Sequence, residues 1–207
     1  MNMRNYQKEM DLLLLKISEE NEIKTLLLHS CCAPCSSYVI EYLSDFFNID
    51  VLYYNPNISL KEEYEKRKEE QQKFLSLFPA KHTVRFFEGD YNRKDFLDLS
   101  VGLEHEKEGG IRCEKCYHMR LFAAAKAAKE HGSDYFATTL TISPLKSAEK
   151  INLIGEDLGK EFGVNYLCSD FKKKNGYKRS IELSAQYSLY RQNYCGCVFS
   201  KCSLNNN

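Results

Sequence analysis

No run of roughly 18 or more apolar residues occurs in the chain, so no segment is long enough to cross a bilayer as a helix. Met1 to Leu15 lacks the basic flank, long apolar core and small-residue cleavage site of a secretion signal. The chain is therefore expected to stay in the cytoplasm, away from membranes. There is no internal repeat and no low-complexity linker. No glycine-rich phosphate loop follows the first predicted strand. An ATP pyrophosphatase needs something like Ser-Gly-Gly there, and the chain offers His29-Ser30-Cys31-Cys32. That substitution counts against adenylation chemistry and against a dinucleotide cofactor.

What remains is a soluble, globular composition, 43% hydrophobic and 28% charged over 207 residues. A chain of this size can bury an ordinary core without disulfides. Its nine cysteines are an odd and high number, and in a reducing compartment they do not read as a disulfide framework. Seven fall in three tight groups: Cys31, Cys32 and Cys35; Cys113 and Cys116; Cys195 and Cys197. Charge is also uneven. From Phe171 onward there are seven Lys/Arg against one acid, Glu182, so that end is about +6 and the rest about −6. Such a split points to an anionic partner at the C-terminal end.

Periodicity predicts helices over Asn5–Glu20, Ser36–Phe47, a stretch from Ser59 to about Phe78 with Ser59 as cap, Glu114–Gly132, Ser147–Phe162 and Glu182–Gln192. Short apolar runs predict strands at Thr25–His29, Ile49–Tyr54, His82–Phe87, Tyr135–Leu140 and Asn165–Cys168. Residues 91–112 read as irregular. Strand and helix alternating about five times imply an α/β fold: a mostly parallel, Rossmann-like or HUP-like sheet with helices on both faces. The simplest organisation is a single domain over 1–207, with an N-terminal helix within 1–20. A basic, cysteine-bearing C-terminal extension follows at 171–202, and a tail at 203–207 is expected to be disordered.

Cys31-Cys32-Ala-Pro-Cys35 follows a strand and opens a helix, where the positive helix end favours thiolate. In an extended segment, neighbouring Cys31 and Cys32 point to opposite sides, which suits two metals or a metal beside a free nucleophile. Cys113-Glu-Lys-Cys116 has the spacing to chelate one metal or cluster, and the same spacing serves redox dithiols. Cys195-Gly-Cys197 adds two thiols around a residue that permits a tight bend. Seven thiols exceed the four ligands of one tetrahedral zinc or one cubane cluster, so a four-iron cluster plus a second metal or free thiols is expected. Structural zinc explains CxxC with CxC but not adjacent cysteines at the edge of a sheet. Cys168 reads as a buried strand residue and Cys202 as surface.

Phe171 to Arg179 interleaves five positive charges with two aromatics. Lys172, Lys173, Lys174, Tyr177, Lys178 and Arg179, with Arg191 nearby, read either as a surface for a phosphate backbone and stacked bases or as a solvated basic loop. Arg120 and Gln192 are further phosphate contacts or ordinary helix-surface residues. Asp170 reads as a proton donor, a metal ligand or a turn cap. Tyr194 is a candidate proton donor or stacking partner. His29 reads as a satisfied buried histidine or as a donor to the cysteine site.

Six ordered motifs carry a family resemblance. They are His29-Ser30-Cys31-Cys32-Ala33-Pro34, Tyr54-Asn55-Pro56-Asn57-Ile58, Arg112-Cys113-xx-Cys116-Tyr117-xx-Arg120-Leu121, Thr138-Thr139-Leu140-xx-Ser143-Pro144-xx-Lys146, Asp170-Phe171-Lys172-Lys173 and Tyr190-Arg191-Gln192-xx-Cys195-Gly196-Cys197. Over roughly residues 24–200 the chain resembles the cobalamin-independent epoxyqueuosine reductases of bacteria. The resemblance implies reduction of the epoxide of epoxyqueuosine to queuosine at the wobble position of tRNA, with electrons from an external donor. It also implies a [4Fe-4S] cluster and an adjacent mononuclear iron. Ligands carried over would be Cys31, Cys32, Cys113, Cys116, Cys195 and Cys197, with Cys35, a position that is aspartate in some relatives, suited to the lone iron. A proton would come from Asp170 or a tyrosine such as Tyr194. Two other readings stand beside this one: a cluster-dependent tRNA sulfur transferase, and a zinc-stabilised RNA-binding module without catalysis.

Overall fold

Leu26, Leu27 and Leu28 are all fully buried, so the strand that carries them is covered on both faces. The computed structural model describes residues 4–200 and arranges five strands in one parallel sheet. These are β1 (Lys24–Ser30), β2 (Phe47–Tyr53), β3 (Val84–Glu88), β4 (Tyr135–Thr138) and β5 (Asn165–Tyr166), in the order β3-β2-β1-β4-β5. Every ladder is parallel, as the alternation of strand and helix predicts. Cys202 and the expected tail at 203–207 lie outside the described residues.

The helices are α1 (Tyr6–Ser18), α2 (Ala33–Leu43), α3 (Lys61–Leu77), α4 (Arg93–Ser100), α5 (Ile111–His131), α6 (Ala148–Phe162) and α7 (Gly176–Gln186). Successive strand residues face opposite ways. Leu26 and Leu28 therefore pack with Leu14 of α1, Ile40 of α2, Phe74 of α3 and Leu183 of α7. Leu27 joins Leu121 and Ala125 of α5 and Ile151 of α6 on the other face. Each such fully buried leucine or phenylalanine contributes about 2 kcal/mol. Three alanines, Ala124, Ala125 and Ala128, let α5 approach the sheet closely. Gly132 ends α5 at φ 66°.

Several boundaries differ from expectation for identifiable reasons. Pro34 sits in the first turn of α2, so that helix starts at Ala33 rather than Ser36. Ser59 does not cap α3, which begins after Leu60. The backbone N–H of Ser59 is taken instead by the Gly196 carbonyl at 3.0 Å. Helix α4 lies in the stretch read as irregular. It is capped by Asn92 and buries only Phe96 and Ser100, too little to show a period. The last helix lies six residues earlier than expected at its start and its end. Beyond Tyr187 the chain leaves the helix axis because Tyr187 packs edge-on against Phe74 at 5.3 Å and the Tyr190 N–H is held by Glu70 at 2.9 Å.

Strands β2 and β3 lie to one side of β1, and β4 and β5 to the other. The switch point of the sheet is thus the crevice beyond the carboxyl ends of β1 and β4, where ligand sites form in open parallel sheets. Residues Cys31 and Thr139 stand there, one position past each strand.

Candidate metal centre

The sulfurs of Cys31, Cys32 and Cys35 all lie within 4.8 Å of one another, and those of Cys31 and Cys32 are 3.8 Å apart. The extended-chain expectation that adjacent cysteines diverge is overturned. Cys32 is the residue that leads into α2, so the chain turns between strand and helix and both side chains reach one place. Cys35 follows in the first turn. Cys31 also meets the Thr139 hydroxyl at 3.6 Å. Hydrogen bonds from Cys32 and then Cys35 hold the Cys31 thiol well below its usual range, while burial pushes Cys32 up to about 12. One thiolate therefore accepts from two thiols, and a bound metal would displace the remaining protons.

The other four thiols form a second group. Cys113 and Cys116 occupy the first two turns of α5, where the Gly109 N–H donates to Cys113 Sγ at 3.3 Å. Cys195 and Cys197 come from the segment after α7. All four line one small cavity, and Cys116 packs with Cys197 and Phe96. Burial pushes Cys116 up to about 11 and Cys197 up to about 12. A larger cavity of about 400 Å³ adjoins it, lined by Cys31, Cys35 and Cys195 among others. Cys195 and Arg120 border both cavities, so three separate segments bring seven cysteines to one region.

A strap from 187 to 200 carries the last two thiols and is fastened to α3. The buried Arg67 donates to the carbonyls of Cys195 and Tyr194 at 3.2 and 3.4 Å and pairs with Glu63 at 2.6 Å. The Tyr190 hydroxyl also reaches Glu63, at 3.3 Å. Gly196 adopts φ 108°, and a Cβ there would sit 2.9 Å from Ile58 Cγ1 and 3.2 Å from Arg67 Nη1. Only glycine fits this bend.

His29 is fully buried. Its Nε2–H donates to the Tyr54 carbonyl at 3.1 Å, which leaves Nδ1 to accept from the Thr138 hydroxyl at 2.9 Å. Burial lowers its pKa to about 4, so it is neutral and satisfied. Tyr194 lines the large cavity, and burial raises its phenol. Asp170 lines neither cavity. Its carboxylate is ion-paired with Lys172 at 2.8 Å. Cys168 lies past the end of β5 rather than in it and lines neither cavity.

The basic stretch divides. Lys172 also donates to the Thr141 carbonyl at 3.1 Å, Lys174 pairs with Asp11 at 2.7 Å, and Arg179 pairs with Glu41 at 2.6 Å. Lys173, Lys178 and Tyr177 are exposed. Phe171, expected among the aromatics of this stretch, is fully buried in the core. Arg191 and Tyr177 stand together at the large cavity, with Arg191 Cζ 5.9 Å from the ring. Arg120 is 1% exposed between the thiol groups, not on a helix surface. Sequence reasoning gave no role to Arg67, Thr139 or Lys146. The last two stand in a quoted motif, whereas Arg67 is lost among the charges of α3.

An α/β protein whose cysteines gather at the switch point of a parallel sheet belongs to the class of proteins built around a metal-competent thiol cluster. The family model described as "Epoxyqueuosine reductase QueH" matches residues 26–203. Three relatives carry the same description. The Streptococcus pyogenes protein is 46% identical over 198 residues, covering 95% of this chain and 78% of that one. The Staphylococcus epidermidis protein is 44% identical over 200 residues, covering 95% and 84%. The Thermotoga maritima protein is 36% identical over 179 residues, covering 85% and 90%. The chain belongs to the epoxyqueuosine reductase QueH family, and it is an oxidoreductase. Among the described residues no helix is long and apolar enough to cross a membrane.

Proposed function

We propose that this chain reduces the epoxide of epoxyqueuosine in tRNA to queuosine. Removing the epoxide oxygen takes two electrons and two protons, leaves an alkene and releases water. The observation that carries the reading is the meeting of two thiol groups, four and three, at adjoining cavities that share Cys195 and Arg120. Four thiols match the ligand number of a [4Fe-4S] cluster, so Cys113, Cys116, Cys195 and Cys197 are assigned to it. Cys31, Cys32 and Cys35 are assigned to a mononuclear iron. When bound, these groups supply electrons, drawn from an external donor, and a Lewis acid for the epoxide oxygen.

The chain's own residues bind and orient the substrate. The large cavity is of a size that takes a small-molecule group. Tyr177 and Arg191 at its border offer a ring and a guanidinium for a splayed wobble base and its phosphate. The Tyr194 phenol, facing the same space, is assigned as proton donor, and Asp170 as the residue that positions Lys172. Exposed Lys173 and Lys178 are assigned to the RNA backbone. The test is anaerobic quantitation of iron and sulfide, followed by mass spectrometry of tRNA nucleosides from a strain lacking its reductase and carrying this chain. Queuosine replacing epoxyqueuosine is expected. Persistent epoxyqueuosine with a properly expressed chain would reject the proposal, and zinc alone in the purified protein would favour a non-catalytic RNA-binding module.

A further inference from the structure

Arg120 lies one helical turn beyond Cys116 and is 1% exposed. A guanidinium carries five N–H donors and a charge that proteins do not remove. Here Nε reaches only the Cys116 carbonyl, at 3.4 Å, and Nη2 has no hydrogen-bond partner among the described residues. Burial opposes its charge, and the leading groups that favour it are Cys116, Cys195, Cys31 and Tyr117. Lys146 is a second cation bordering the same two cavities. It answers to Cys195, Tyr117 and Cys31 and is opposed by Arg120. Glu108 is the one carboxylate along either cavity, but it is exposed and forms no ion pair with either cation among the described residues. Arg120 is thus held out of water, and a half-buried second cation borders the same two cavities. Leaving a buried charge uncompensated is strongly destabilising. A fold keeps such a pair when an anion belongs between them. A four-iron cluster bound by four thiolates is a net anion, and gains negative charge on reduction.

We infer that Arg120 and Lys146 are the fixed counter-charge of the thiolate-bound cluster, positioning residues that favour its reduced state. The inference rests on the iron–sulfur reading above. A cation close to the cluster stabilises the added electron and raises the reduction potential. Without these two, the centre would demand a stronger reductant.

The test compares wild type with Arg120→Met, Arg120→Lys and Lys146→Met, each loaded anaerobically and assayed for iron and labile sulfide. Midpoint potentials are then read by dye-mediated titration followed in the visible and by electron paramagnetic resonance. Both methionine variants are expected to shift the reduction equilibrium at least tenfold toward the oxidised state, a fall of about 59 mV for a one-electron couple. Arg120→Lys is expected to lie between Arg120→Met and wild type. In the iron-free chain, Arg120→Met is expected to unfold at the same or higher urea concentration than wild type, and in the loaded chain at lower. Lys146 is half-buried on a loop, so Lys146→Met carries the test should Arg120→Met fail to fold. Fully loaded variants with wild-type potentials would overturn the inference and leave the cluster standing. Lys146→Met with lost tRNA affinity, read by filter binding, and an unchanged potential would overturn it too, assigning the cations to phosphate. Wild type without iron or sulfide would remove the cluster reading itself.

Discussion

Arg67 of α3 grips the backbone of Cys195, its Nη1 donating to the carbonyl at 3.2 Å, so one helix side chain fixes where the final pair of thiols stands. Its guanidinium is 2% exposed and shared with Glu63, whose side chain is 12% exposed. Replacing Arg67 by methionine breaks a buried pair and strands that carboxylate. A stability loss of about 3 kcal/mol is expected in urea unfolding, with less iron retained per chain. Wild-type iron content in the variant would show that the strap docks without this contact.

Gly196→Ala tests the bend itself. Non-glycine residues in such a conformation cost about 1–3 kcal/mol, and the added methyl meets Ile58 at 2.9 Å. Since the contact is local to the strap, circular dichroism is expected to stay native while visible cluster absorbance falls. An alanine variant with full absorbance would mean that the strap shifts without disturbing its thiols.

The two thiol groups are expected to separate chemically. Serine at Cys113, Cys116, Cys195 or Cys197 should abolish labile sulfide and the brown colour. Serine at Cys35 should leave sulfide intact and lower iron alone. Loss of sulfide in the Cys35 variant would show that the groups do not divide as four and three.

Exposed and paired cations in the basic stretch should behave differently. Lys173→Ala with Lys178→Ala is expected to weaken tRNA binding at every sequence and to flatten the dependence of log affinity on log salt by roughly 0.7 per charge removed. Arg179→Ala, by contrast, breaks the ion pair with Glu41 and is expected to act on the packing of α7 against α2. An unaltered salt slope in the double lysine variant would move the RNA surface elsewhere.

The parallel sheet was legible because Thr25–His29, Ile49–Tyr54 and Tyr135–Leu140 are short, mostly apolar runs set between helical periods. The cysteine groups were legible because spacing is written in sequence. Arg67 was not. The buried stripe of α3 runs Tyr64, Arg67, Gln71, Phe74, and its polar members erase the apolar period. Gln71 is there to accept from Ser30 at 2.7 Å and Ser36 at 2.8 Å, contacts between elements far apart in the chain. The convergence of Cys31 with Cys32 was hidden for a related reason: alternation along a strand says nothing about the single residue at which the strand stops. Helix α7 was misplaced because its end is set by Phe74 and Glu70, more than a hundred residues earlier in the chain.

The strap between 187 and 200 supplies two of the seven clustered thiols and follows the other five in chain order. During translation, the sheet and the first five thiols exist before the segment at 195–197 has emerged from the ribosome. A nascent polypeptide halted upstream of it therefore holds only five of the seven clustered thiols, too few for the proposed four-and-three division.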